Sequence, residues 1–363
     1  MSVAALAAVT TVGNPANRLL RFGLLVLAAA PTLLAAWRLV GEQIPGIDLL
    51  IPLLATQRWI AGGDPYVAGS FAATQGPDLP FLYPPFVLPL LTPFLDLPIN
   101  AVLAGWVGIC AGVAAWSVHR LAVPARWWVA FLIWPPFLEG IVSGNVAIVA
   151  FAAFAALFIA DPGTTTDLHP IHRDPTDARK AALPEGAKAT LVAAVKASQV
   201  HAWAYLFLHR PKAALGGLAC LGVLVVATLP AVGVALWAGW IQQLQRAADP
   251  QWIYGGNGIG RIMPPALALV VAAASVVALR WVTPTRAGVW VGVLAVVGGL
   301  SVHTYGLLFL VPAMLHIRRE IALVGAMFIG ARNPAGILIG ATIIVVATFA
   351  SAPVPALREP DPP

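Results

Sequence analysis

From Leu24 onward the chain alternates apolar runs with short polar or proline-bearing breaks. A helix needs about 20 apolar residues to cross a bilayer. By that measure spans are predicted over Leu24–Val40, Asn100–Val118, Val146–Ala160, Leu215–Val234, Ala266–Trp281, Ala287–Ser301 and Tyr305–Leu315. Ile321–Ala350 forms a further apolar stretch, broken at Ala331-Arg332-Asn333-Pro334. Tyr83 opens a short run kinked by Pro89, Pro93 and Pro98, and Trp127–Leu138 is an aromatic run broken by proline. In total the runs suffice for roughly nine to eleven crossings. The predicted fold is therefore all-α, a polytopic transmembrane helical bundle forming one integral membrane domain over residues 1–363.

Between the first two runs the period changes. Asp48–Ile60 has apolar Leu49, Leu50, Leu53, Leu54 and Ile60 against polar Gln57 and Arg58, which predicts an amphipathic interface helix after the first span. Gly62-Gly63-Asp64-Pro65-Tyr66 ends it, since glycine supplies a left-handed stop and proline cannot continue the helix. Polar segments divide the rest: a cytoplasmic N-terminus over 1–22, an external loop over 41–82, an irregular loop over 161–187, a polar loop over 237–263 and a tail over 351–363. Glu139–Asn145 interrupts another apolar run, and Thr190–Leu208 carries Lys196, Gln199 and His201 in a pattern suited to broken half-helices around a cavity.

Composition sharpens this picture. The chain of 363 residues is 60% hydrophobic and 10% charged, too little polar surface to cover a water-soluble globule of that size. With 33 Gly and 32 Pro it predicts interrupted helices rather than a plain bundle. The net charge of +6 fits anionic headgroups, and no basic stripe interleaved with aromatics marks a nucleic-acid surface. Arg18 and Arg21 before the first run place the N-terminus inside, and no cleavage pattern follows. Arg120 and Arg126 also ask for the inner side, which requires that one of the short runs between Tyr83 and Val118 does not cross. Cys110 and Cys220 lie in apolar runs and read as small buried hydrophobes. His169 and His172 sit in the irregular loop at no metal-ligand spacing.

Several pieces occur in order: Asp48 on the amphipathic segment, AGGDPY at 61–66, YPP at 83–85, Gly144-Asn145, Lys196, LFLHRP at 206–211, GGN at 255–257 and VHTY at 302–305. This series resembles the polyprenol-phosphate-mannose-dependent mannosyltransferases of bacterial envelopes, glycosyltransferase family 87 of the GT-C superfamily. The pattern departs from that family at Leu49, Asn145 and Ala197, where the family has Phe, Gln and Pro. The resemblance implies transfer of a hexose, with inversion, from a polyprenyl-phosphate sugar to a lipid or glycan acceptor. It places the enzyme in the bacterial plasma membrane with its active site on the external side.

Such chemistry needs one carboxylate to take the acceptor's proton while the sugar passes through an oxocarbenium-like state, and cations or donors to hold the phosphate. Asp48 is the candidate catalytic base, although a carboxylate in a helix's first turn is also stabilised by the helix dipole alone. Lys196 and Arg261 are candidates for the phosphate, His303 for the phosphate or a sugar oxygen, Tyr66 and Tyr83 for sugar hydroxyls, Asp64 for the acceptor or a metal ion, and Asn145 and Asn257 for hydrogen bonds to substrate. Interface anchoring explains a tyrosine as well, and an Asp before Pro often only shapes its turn. No cofactor is expected and no metal site is predicted. A transporter or lipid flippase would also show broken helices with intramembrane Lys and His, but two related halves are not visible.

Overall fold

A computed structural model describes residues 30–66, 79–159, 184, 187–188, 200–247, 262–300 and 302–351. Among them every regular element is helical. The protein is an all-α polytopic membrane bundle. Arg18, Arg21, His169, His172, Lys196, Asn257 and Arg261 lie outside the described residues.

Helix α1 covers 30–42 and α2 Ile47–Ile60; α3 is the five-residue Val87–Leu91, and α4 runs Ile99–Arg120. Next come α5, Trp128–Ile133, α6, Pro135–Ser143, and α7, Ala147–Phe158. Helix α8 is Val200–His209 and α9 Pro211–Ala247. Helices α10, Pro265–Ala278, and α11, Ala287–Val297, precede a 3₁₀ turn, Thr304–Leu310, that leads into α12, Val311–His316. A helical hairpin closes the series, with α13 over Arg319–Gly330 and α14 over Pro334–Ser351.

Among the described residues four stretches are long and apolar enough to cross a membrane: Ala30–Ile60, Ile99–Arg120, Pro211–Arg246 and Pro334–Ser351. Helix α3 is not one of them. At 1.5 Å per residue, its five residues extend about 8 Å. Between Tyr83 and Arg120, α4 alone is long and apolar enough to cross.

Two readings of the chain are corrected. The stretch from Trp237, expected as a loop, is helical to Ala247. Its Gln, Leu and Ala residues are good helix formers, and a helix that leaves the hydrocarbon no longer needs apolar faces all round. The break expected over Glu139–Asn145 is confined to Gly144-Asn145, because α6 keeps helical geometry through Ser143 and Gly144 caps it in the left-handed region at φ 68°. The break near residue 332 occurs where expected, between α13 and α14.

The bulk of the core joins α4, α6, α7, α8, α11, the 304–310 turn and the closing hairpin. Phe137, Phe151, Phe154 and Phe309 interlock edge to face at its centre. Cys110 is buried in this core, whereas Cys220, also expected to be buried, is half-buried on α9. A second, smaller cluster gathers Ile47, Ile51 and Ala55 of α2 with Tyr66, Phe81 and Leu88. Helix α9 bends at Pro230 and Gly233, where φ 70° and ψ 165° break the helical path. Its last turns then reach this second cluster: Trp240 Nε1 donates to Leu82 O at 3.0 Å, and Trp237 packs on Phe86.

Candidate active site

The two clusters meet at the start of α2. Gly46 adopts φ 74°, and its N–H donates to Val142 O at 2.8 Å. Gly144 lies against it so closely that a Cβ there would stand 2.7 Å from Trp106 Cδ1 and 3.3 Å from Gly46 Cα. Trp106 Nε1 donates to Gly144 O at 2.6 Å and locks α4 onto the same corner. Two glycines thus let the N-terminus of α2 and the C-terminus of α6 touch backbone to backbone.

That contact brings Asp48 to Asn145, 97 positions later in the chain. Asn145 Nδ2 donates to Asp48 Oδ2 at 2.8 Å, while its Oδ1 accepts from Ala147 N, the first N–H of α7, at 2.8 Å. This pair of bonds fixes the amide's orientation, because a flipped amide would set oxygen against carboxylate and N–H against N–H. The amide also hydrogen-bonds the Tyr305 hydroxyl. The Tyr305 ring stacks on His303 at 5.4 Å between centroids, and His303 is exposed. Asp48, Asn145, Tyr305 and His303 therefore form one contiguous group drawn from three distant segments.

Tyr83 belongs to the same neighbourhood. Burial, and after it the negative charge of Asp48, pushes its phenol above the ordinary range. The phenol of Tyr66 is raised likewise, by burial and then by Asp64. Both stay neutral hydrogen-bonding groups at neutral pH. Tyr66 Oη donates to Tyr83 O at 3.0 Å, and Asp64 Oδ1 accepts from Tyr66 N at 2.8 Å. Asp64 is exposed and closes its own turn, so it shapes the loop that carries the two tyrosines.

Of the residues singled out from the sequence, the fold gathers Asp48, Tyr83, Asn145 and His303, with Asp64 and Tyr66 supporting Tyr83. Lys196, Asn257 and Arg261 fall outside the described residues. Sequence reasoning passed over Tyr305, although the VHTY piece contained it, and also Glu139, Thr304 and Arg332. Glu139 offered a signal of its own, since an ionisable side chain within an apolar run usually faces a cavity or a partner. Here the partner is Arg332, whose Nη2 is 3.2 Å from Glu139 Oε2. Among the described residues no three His, Cys, Asp or Glu side chains converge in a metal-ligating group.

Over 158 residues the chain is 35% identical to a polyprenol-phosphate-mannose-dependent alpha-(1-2)-phosphatidylinositol mannoside mannosyltransferase of Mycobacterium tuberculosis. The similarity covers 38% of this chain and spans 36% of that protein's length. No protein-family model matches the chain. No solved structure matches it.

Proposed function

We propose that this chain is a membrane glycosyltransferase of the GT-C type, similar to glycosyltransferase family 87. It moves a hexose, mannose in our reading, from a polyprenyl-phosphate donor to an envelope lipid or glycan hydroxyl. The observation that carries the reading is the 2.8 Å bond that sets Asp48 against Asn145 at the junction of the two clusters. The similarity to a polyprenol-phosphate-mannose-dependent enzyme supplies the donor class.

Asp48 takes the proton from the acceptor hydroxyl as that oxygen attacks the anomeric carbon. The new C–O bond forms as the bond from anomeric carbon to phosphate oxygen breaks, and the electron pair leaves on polyprenyl phosphate. Attack from the face opposite the phosphate inverts the anomeric centre. A phosphate ester already leaves as a stable anion, so the site needs a base and donors rather than a strong acid. Tyr83 and His303 are donors to sugar or phosphate oxygens, and Lys196 and Arg261 are assigned to the phosphate. Asn257, Asp64 and Tyr66 are assigned to hydroxyls of the sugar or the acceptor. The site faces the outer side of a bacterial plasma membrane, where lipid-linked sugars meet envelope acceptors.

The test is transfer of label from polyprenyl-phosphate-[¹⁴C]mannose to candidate lipid acceptors by the purified chain in lipid nanodiscs. Transfer that depends on Asp48 supports the reading. Substrate-independent lipid scrambling without any transfer would replace it with a flippase.

A further inference from the structure

Glu139 and Arg332 take no part in the transfer chemistry above, yet they form an ion pair within the bundle. Arg332 Nη2 lies 3.2 Å from Glu139 Oε2, with side chains 31% and 12% exposed. The pair spans two elements distant in the chain, α6 and the turn between α13 and α14. Arg332 holds φ 54°, a left-handed conformation uncommon for a residue with a side chain. The next residue, Asn333, caps α14 through Gly336 N–H donating to its Oδ1 at 2.7 Å. The hairpin turn is thus built around Arg332 in a disfavoured backbone state, and the contact it makes there is with Glu139. Such outliers persist where surrounding structure holds them and cluster at functional sites.

Glu139 leads back to the candidate base. It also hydrogen-bonds the Thr304 hydroxyl. Thr304 is followed by Tyr305, the hydroxyl of which meets the Asn145 amide, and that amide holds Asp48 Oδ2. Gly140, beside Glu139 on α6, lets the Tyr305 Cβ approach to within 3.6 Å of where its own Cβ would stand. Burial pushes the Glu139 carboxyl above its ordinary range, and the Arg332 guanidinium and the Thr304 hydroxyl oppose that push, so both favour the charged, accepting form.

We propose that Arg332 is a positioning residue for Asp48, acting through Glu139, the Thr304–Tyr305 turn and Asn145. The proposal rests on the reading of Asp48 as catalytic base. A direct role of Arg332 on the donor phosphate is less favoured, because its charge is already matched by Glu139. Loss of the pair releases the 304–305 turn and misplaces the carboxylate without removing any group that touches substrate.

The test compares Arg332→Gln, Glu139→Gln, the double variant and Arg332→Lys with Asp48→Asn. All are purified full chains in nanodiscs, assayed with polyprenyl-phosphate-mannose and normalised to folded protein by thermal melting. A displacement near 1 Å costs about 100-fold, so each Gln variant is expected to lower kcat by about 10-fold to 100-fold while the donor KM holds. The double variant should lose no more than the worse single one, since the two side chains act as one unit. Arg332→Lys should recover part of the rate. A donor KM raised with kcat unchanged would make Arg332 a phosphate ligand and overturn the proposal. Unchanged kcat per folded molecule, with a lowered melting temperature alone, would reduce the pair to a structural tie and also overturn it. Normal turnover in Asp48→Asn would instead strike the underlying reading, and the proposal with it.

Discussion

The two ends of the bundle handle charge in opposite ways. At the end reached by α4, cations meet ring faces and carbonyls close at hand. Arg120 Nη2 donates to Ile159 O at 2.9 Å, Arg319 lies over the Trp127 ring at 4.6 Å, and Arg280 lies over Trp281 at 3.8 Å. Arg280 and Arg319 are exposed. At the other end Asp48, Asn145, Glu139 and Arg332 pair with one another across distant elements, and they are partly or fully buried. The first arrangement anchors a protein in an interface, where each contact is cheap to lose. The second leaves a buried polar group stranded when one member is removed, so each contact is costly to lose.

Substitutions at the two ends should separate along that line. The largest effect is expected from Asp48→Asn, a loss of roughly 10²–10⁴ in transfer rate with normal membrane insertion and folding. Near-normal turnover would show that the paired end is structural after all. Asn145→Ala comes next, with about 10-fold to 100-fold lost in kcat as the carboxylate loses its fixed partner. Steady-state assays with saturating donor would check it.

Gly144→Ala tests the corner itself. The added methyl meets Trp106, and φ 68° suits only glycine well. A cost of about 1–3 kcal/mol is expected, read as a lower melting temperature alongside reduced activity.

Tyr66 gives a smaller, pH-dependent effect. Its phenol is raised in the folded chain, so below about pH 10 it is neutral in both folded and unfolded states and the contribution is fully present. Above that pH the unfolded chain ionises first and stability falls. Tyr66→Phe should remove part of this alkaline loss, measured by melting between neutral and strongly alkaline pH. The smallest change belongs to the basic end: Arg319→Ala should cost about 1 kcal/mol or less and leave transfer untouched. A large effect there would erase the contrast between the ends.

How much of this was legible beforehand follows from what each feature depends on. Membrane spans are written in local apolar runs, so α4, α14 and the hairpin break near Arg332 could be read directly. Asp48 was legible because it follows the first span at a helix start, and the Gly144-Asn145 pair because it interrupts an apolar run. That the two would touch was not legible, since it depends on backbone packing at Gly46, Gly144 and Trp106. Glu139 and Arg332 were visible as isolated charges, but only tertiary structure makes them partners. Polarity misled at Gln242, Gln243 and Gln245, where a run of polar side chains was read as a loop although glutamine is a good helix former.

The bend in α9 has one further consequence. Straight, its 37 residues would stretch about 56 Å, nearly twice the thickness of the hydrocarbon layer. With the hinge at Pro230 and Gly233, a single rod becomes a lipid-facing mast and a short boom carrying Trp237 and Trp240 onto the strap around Tyr83. The same helix that is long and apolar enough to cross a membrane thus also braces the segment that carries Tyr83.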